Sequence, residues 1–392
     1  MSDAPNPVIA MLGRRLRLAV IGGGPGSFIG ETHRAAARMD DRYEIVTGVF
    51  SSDPEKSKRV AAALGYSAER AYGTVDDMLA AEAARRDGVE VVAIMTPNDS
   101  HFPFAMAALE RGLDVICDKP MTNTIEDAEA LEAKVRETGL TFCLTHNYTG
   151  YPLVRQAQAM VEAGEIGTVR LIQIEYVQGG KADESRPDPT DRWRFDPKRA
   201  GPSLVMGDIG SHAHNLVRFV TRLEVAAVNA EIGAIVPGRT AHDYGGALLR
   251  MEGGARGSFW VTQAAAGVEN SIRFRVSGTK GSLEWQQEIQ QRLRFKPLGA
   301  PAQVRTPNGP GSLPLALRSS RLKAGHPEGF LAAFANLYSD AAEVIAARRA
   351  GQEADPLARH FPNAHDGLMG VRFLMAALES SAAGGTWVAC GA

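Results

Sequence analysis

Leu16-Arg17-Leu18-Ala19-Val20-Ile21-Gly22-Gly23-Gly24-Pro25-Gly26-Ser27-Phe28-Ile29-Gly30 decides the fold. An apolar, β-rich run breaks into a glycine-rich turn, and residues 31–39 continue as an Ala-rich helical stretch. Gly22 and Gly24 permit close backbone approach to a pyrophosphate, and a helix opening near Phe28 and Ile29 offers it free N–H groups. The usual fingerprint spaces its glycines G-x-G-x-x-G. Here Gly30 falls three residues late, so the turn is longer than the standard pattern, but the strand, turn and helix order is the one that dinucleotide binding requires.

Working outward, apolar β-rich runs at 18–21, 45–50, 89–95, 113–117 and 141–145 alternate with helical spacing at 80–86, 101–111 and 125–137. That rhythm predicts a doubly wound parallel sheet of the Rossmann type over residues 14–148. From 149 to 392 the rhythm changes. A helix at 153–163 leads into strand-like runs at 169–177, 225–235, 246–251, 257–263, 272–277 and 281–285, which argue a second, α+β domain with a large, mainly antiparallel sheet. Residues 296–314 read as a Pro- and Gly-rich loop, and 330–349 and 368–380 as helices, with a C-terminal helix available to complete the first domain.

Composition excludes several classes of function. A formal net charge of −2 with interspersed signs leaves no basic stripe for nucleic acid. Cys117, Cys143 and Cys390 form no C-x-x-C pair, so neither a disulfide framework nor a zinc site is expected. Arg14-Arg15 precedes an apolar run too short for an export signal, and no stretch is read as reaching transmembrane length. The expected setting is the cytoplasm, away from any membrane.

The fourth apolar run ends Asp114-Val115-Ile116-Cys117-Asp118-Lys119-Pro120, which places a lysine at a strand end, facing the crevice where a nicotinamide would lie. The second run ends Phe50-Ser51-Ser52, where NAD enzymes carry an acid for the ribose 2′-hydroxyl. A serine there removes the repulsion that excludes a 2′-phosphate, and Lys56 and Arg59 stand one turn on to neutralise it. Asp53, two residues along, can still reach a ribose, so NADP(H) is favoured and NAD(H) remains open. His146 and Asn147 end the last run of the first domain, so Asn147 and Tyr148 are candidates to meet nicotinamide or substrate, or are structural caps. Trp193-Arg194 and His326 lie in loop-like surroundings, where they serve either a ligand or domain packing.

Taken together, Gly22 to Gly30 with His33, Thr96-Pro97-Asn98 with His101, Asp118-Lys119-Pro120, and Gly207-Asp208-Ile209-Gly210-Ser211-His212 resemble the Gfo/Idh/MocA family of NAD(P)-dependent oxidoreductases. The resemblance implies cofactor contacts from Thr96, Pro97, Asn98, His101 and Asp118, and substrates among sugars, inositols and related polyols. It also implies a homodimer or homotetramer built through the second sheet. The family's E-K-P lysine falls on Lys119, with Asp118 in place of glutamate, and its D-x-G-x-H segment on Asp208 and His212. The acid of H-x-x-D is replaced by Asn215, which donates and accepts but is no base.

Oxidising a secondary alcohol removes a hydroxyl proton while hydride leaves the same carbon, and a group titrating near neutrality suits the proton transfer. His212 is therefore the expected acid/base, Lys119 its relay partner and oxyanion stabiliser, and Asp208 the carboxylate that orients substrate. His212-x-His214 is also a possible zinc pair, but only Asp208 stands near as a third ligand, so no metal is expected. Two alternatives keep the fold: a sugar oxidoreductase or glycosidase that recycles its cofactor through a transient ketone, and a non-catalytic dinucleotide sensor, which has no need of Lys119, Asp208 and His212 together.

Overall fold

A computed structural model describes residues 6–186, 188 and 192–391. The chain divides into two compact units. The first comprises the chain through Thr122, then Glu126–Gly150 and Phe330–Gly367; the second comprises Asn123–Ile125, Tyr151–Gly329 and everything from Leu368.

The first unit holds five parallel strands, β1 (Leu16–Gly22), β2 (Tyr43–Val49), β3 (Val91–Met95), β4 (Asp114–Cys117) and β5 (Phe142–Leu144), in the order β2-β1-β3-β4-β5. Both faces are covered, so β3 reads as an unbroken apolar run with all five residues buried. The strand order reverses between β1 and β3, which run side by side with Gly22 opposite Met95. In open α/β sheets that reversal is where the crevice for a ligand forms. Helix Phe330–Ala350 packs its Phe334, Leu337, Tyr338 and Ile345 into the same core as Leu18 and Val20 of β1.

Three expectations about this unit need correction. The helix expected at 80–86 lies at Val75–Ala83, because the Thr74 hydroxyl caps it by accepting from Asp77 N at 3.1 Å. An unexpected helix, Pro54–Ala63, starts on the Asp53 cap with Pro54 at its first position, and its run of Lys and Arg conceals the apolar periodicity. Helix Phe330–Ala350 has the length and apolar composition of a membrane span, contrary to expectation, but 78% of its apolar window is buried, as befits a core helix.

The second unit is built on nine strands: β6 (Val169–Val177), β7 (Val225–Gly233), β8 (Tyr244–Met251), β9 (Arg256–Thr262), β10 (Ser271–Gly278), β11 (Gly281–Gln286), β12 (Leu293–Pro297), β13 (Gln303–Arg305) and β14 (Val388–Ala389). Their order is β13-β12-β11-β10-β6-β9-β8-β7-β14. All neighbours are antiparallel except β6 and β9, which run parallel. The loop expected at 296–314 in fact begins inside β12, contains β13 and ends on the first residue of the short helix Pro314–Leu317. β13 is a mostly exposed edge strand, which is why its sequence carries no burial pattern. One sheet face is apolar and covered, by helix Ser211–Thr221 among others, with every residue of that helix buried.

Candidate active site

In the first unit the glycine turn is set by close packing. Gly22 has φ +88°, and a Cβ there would stand 2.8 Å from both the Met95 carbonyl oxygen and the Thr96 side chain. A Cβ on Gly30 would stand 2.3 Å from the Gly23 carbonyl oxygen, so helix Phe28–Met39 rests directly on the turn. Gly30 thus does the work of the fingerprint's third glycine, and the extra residues bulge outward at Gly26, whose Cβ position is open. The buried Arg34 guanidinium donates to the Gly23 carbonyl and holds the turn from below. The Ser27 hydroxyl accepts from Gly30 N at 3.2 Å. Ile29 is half-buried, whereas Phe28 is 72% exposed, its ring 5.9 Å from that of Phe330.

At the neighbouring strand ends the backbone is braced by side chains. The Ser100 hydroxyl lies 2.7 Å from both the Thr96 hydroxyl and the Pro97 carbonyl. His101 is buried and spans two turns, with Nδ1 2.8 Å from the Pro120 carbonyl and Nε2 2.9 Å from that of Thr96. Both ring nitrogens are therefore used by main chain, which makes His101 a brace between the Thr96 and Lys119 turns. Asp118 accepts from Lys119 N at 2.9 Å and from the Thr145 hydroxyl at 3.0 Å, fixing the turn that carries the half-buried Lys119. The Lys119–Pro120 peptide is cis. Asn147 is buried, and its side-chain nitrogen has no hydrogen-bond partner among the described residues. Tyr148 is buried against Phe330, rings 6.4 Å apart.

At the end of β2, Ser51 accepts from Asp53 N at 3.1 Å, and Asp53 accepts from Lys56 N at 3.0 Å. That hydrogen bond from Lys56 lowers the Asp53 carboxyl below its ordinary value and commits one of its oxygens to the helix. Ser52 and the Lys56 side chain are exposed. His33 lies beneath the turn, buried, with Nδ1 2.6 Å from the Tyr338 hydroxyl, and burial drives its imidazolium down to about 4.

In the second unit Asp208 and His212 stand on one continuous helical stretch. Met206–Gly210 forms a π-type turn that runs straight into helix Ser211–Thr221. Such turns are frequent at functional sites, because the extra residue re-aims the side chains around it. Asp208 accepts from Gln263 Nε2 at 2.9 Å, and the same amide group lies 3.2 Å from Gln178 Oε1. Gln178 Nε2 in turn donates to Asn270 Oδ1 at 2.7 Å, which also accepts from the Tyr176 hydroxyl at 2.8 Å. His212 is only 7% exposed, with its ring 6.2 Å from that of Tyr176. A chain of amides at the ends of β6 and β9 therefore orients the carboxylate, while the sheet's aromatic backs the imidazole.

The remaining expectations fare differently. His214 is stacked on Phe373 at 4.4 Å, ring planes 12° apart, which gives it a packing role. Among the described residues no group of three or more His, Cys, Asp or Glu side chains is disposed to hold a metal ion. Trp193 is half-buried with the exposed Arg194 guanidinium 5.4 Å from its ring. His326 is exposed, and its Nδ1 lies 3.1 Å from the Lys323 carbonyl, so its described contact is with its own turn. Sequence reading missed Arg34, Gln178 and Gln263. The last ends an alternating apolar strand on a polar residue, a signal that was there to be read.

The first unit suits a dinucleotide. It presents a turn with no room for a side chain at Gly22, Gly23, Gly24 or Gly30, a helix start behind it, and a buried amide nitrogen at Asn147 that lacks an acceptor among the described residues. Residues 16–146 match the family model described as an oxidoreductase family with an NAD-binding Rossmann fold, and residues 154–284 match that of the Gfo/Idh/MocA C-terminal domain. The chain is 32% identical over 383 residues to the uncharacterized oxidoreductase YfiI of Bacillus subtilis, covering 96% of this chain and 98% of that one. It is 30% identical to a levoglucosan dehydrogenase of Pseudarthrobacter phenanthrenivorans, over 72% and 76% of the two chains. The crystal structure of an inositol dehydrogenase homolog from Azotobacter vinelandii, complexed with NAD+, superposes with a TM-score of 0.89 at 35% identity, over 96% and 97% of the chains. By motif, by fold and by these matches, the chain belongs to the Gfo/Idh/MocA family of oxidoreductases.

Proposed function

We propose that the protein oxidises a secondary alcohol of a sugar, inositol or related polyol, or reduces the matching ketone, with NAD(P) as redox partner. The observation that carries this reading is the helical stretch 206–212, where Asp208, fixed by Gln263, precedes His212 by four residues. A carboxylate held in place beside a buried imidazole is equipment for orienting a hydroxyl and exchanging its proton. The levoglucosan dehydrogenase and inositol dehydrogenase names of the relatives support the same substrate class.

In the oxidative direction the reacting carbon loses hydride, its O–H bond breaks, and a C=O bond forms. What NAD(P)+ supplies when bound is the hydride acceptor, held by Gly22, Gly24, Ile29 and Asn147. His212 takes the hydroxyl proton. Lys119 donates a hydrogen bond to the alcohol oxygen and stabilises its developing negative charge. Asp208 orients the substrate and favours the imidazolium that forms.

NADP(H) is the proposed preferred cofactor, since no acid stands at Ser51 and one Asp53 oxygen is occupied as a helix cap. The proposed oligomer is a homodimer or homotetramer through the open face of the nine-stranded sheet, where Leu171, Leu248 and Trp260 stand 57%, 55% and 41% exposed.

The test is absorbance of reduced nicotinamide with NAD+ or NADP+ and a panel of inositols, aldoses, anhydrosugars and sugar acids, for the protein and for Lys119→Ala and His212→Ala. Turnover by the parent that both variants lose is the expected result. Silence across the panel with either cofactor overturns the reading.

A further inference from the structure

Beside Asp208, the second unit contains a cation that the proposed chemistry does not use. Lys181 follows β6, and its backbone N–H donates to the Gln263 carbonyl at 2.8 Å, which ties it to the residue that holds Asp208. Its Nζ is buried and has no hydrogen-bond partner among the described residues. The ammonium stands 4.9 Å from the centre of the Phe195 ring. On the other side of the same backbone bond, the Gln263 side-chain oxygen is also buried and also without a hydrogen-bond partner among the described residues. A buried donor and a buried acceptor that are both unsatisfied carry a desolvation cost that a ligand can relieve.

We infer that Lys181 and Gln263 form a hydroxyl-binding subsite of the second unit, in which the Lys181 amine donates to, and the Gln263 Oε1 accepts from, hydroxyls of the polyol other than the one that reacts. This rests on the dehydrogenase reading and narrows its substrate class. Hydroxyls both donate and accept, so the hydroxyls of a polyol can satisfy both atoms, whereas a carboxylate accepts only and offers Gln263 Oε1 no donor. The charges around Lys181 argue the same way. Asp208 attracts it, Asp188 and Asp243 add to that pull, and Arg239, which is paired with Asp188, opposes it. A site with these carboxylates around one amine has no surplus positive charge for an acidic sugar. The subsite therefore selects neutral sugars and polyols over aldonic or uronic acids. Burial lowers the Lys181 ammonium to about 8, which keeps it a donor at neutral pH and makes its charge sensitive to mild alkali.

The test compares the parent with Lys181→Met and Lys181→Gln, loaded with NAD(P)H or NAD(P)+, on neutral polyols and sugar acids, by steady-state kinetics and by calorimetric binding of the same polyols. The expected result is KM, and the calorimetric Kd, raised about 10- to 100-fold for the neutral polyol with kcat changed far less, since a charge-assisted hydrogen bond carries roughly that factor. In the parent KM should rise as pH passes above about 8, and in Lys181→Met it should be flat there. Removing an unpaired buried cation is not expected to lower the melting temperature, so loss of folding is not the explanation of a raised KM. Turnover with unchanged KM in both variants, or a parent that prefers sugar acids, overturns the subsite and leaves the dehydrogenase reading intact. Polyol binding weakened by the variants without any turnover keeps the subsite and overturns the dehydrogenase reading. A parent that neither binds nor turns over any polyol overturns both.

Discussion

Gly30→Ala separates the packing account of the cofactor turn from a simple helix-propensity account, because the two predict opposite signs. Gly30 lies inside helix Phe28–Met39, where alanine is ordinarily favoured over glycine by about 1 kcal/mol. The added Cβ, however, would stand 2.3 Å from the Gly23 carbonyl oxygen and 2.4 Å from its Cα, about 1 Å inside ordinary contact at 3.4 Å. Both neighbours are backbone, and the Gly23 carbonyl is also held by Arg34, so neither yields cheaply. Helix and turn must separate, at a cost of roughly 1–3 kcal/mol for such overpacking. Because the displaced atoms carry the N–H groups proposed to hold the pyrophosphate, the loss should appear mainly as cofactor affinity, with Kd for NAD(P)H weakened about 10- to 100-fold by fluorescence titration. The melting temperature should also fall by several degrees. Gly233→Ala, whose Cβ meets nothing within 4 Å, is the control and should leave both unchanged. A Gly30→Ala protein that melts higher and binds cofactor normally would refute the reasoning.

Three further outcomes are expected. His33 holds its imidazolium near 4 against an ordinary 6.5, so below pH 6.5 the unfolded chain takes up a proton that the folded chain refuses until about pH 4. Stability should therefore fall as pH drops through that window, by up to about 3 kcal/mol from this group, and a denaturation series in which His33→Gln has the same pH slope as the parent would contradict it. Ser51→Asp should weaken NADP(H) at least about tenfold while sparing NAD(H), read as the ratio of their Kd values; an unchanged ratio would move 2′-phosphate recognition elsewhere. Trp260→Glu with Leu248→Glu should give monomers by sedimentation at micromolar concentration, and an unaltered assembly would remove the open sheet face as the subunit contact.

The first sheet was legible because a parallel sheet covered on both faces writes itself as apolar runs such as Val91–Met95, and glycine has one reading in a turn where a Cβ would strike Met95 or Gly23. Helix Pro54–Ala63 was not legible because Lys and Arg conceal its apolar periodicity and leave the Asp53 cap and Pro54 as its main signals. The edge strand Gln303–Arg305 buries nothing, so no pattern marked it. Among the proposed functional residues, Lys119, Asp208 and His212 were singled out by residue type and motif spacing, whereas Gln178, Lys181 and Gln263 were not. These three gain their meaning from pairing between strands that are far apart in sequence, as with Gln178 and Gln263, 85 residues apart and joined at 3.2 Å. His101 is a brace for the same reason, since only the fold reveals that both its nitrogens are taken by carbonyls.

The measurement closest to the central claim is label transfer. The protein is given NAD(P)+ and a neutral polyol deuterated at its carbinol carbons, and the reduced cofactor is weighed by mass spectrometry. The account predicts deuterium in the reduced nicotinamide, a keto or lactone product in equal amount, and loss of both in Lys119→Ala. Polyol and cofactor recovered unchanged from the parent under conditions where both are bound would contradict it.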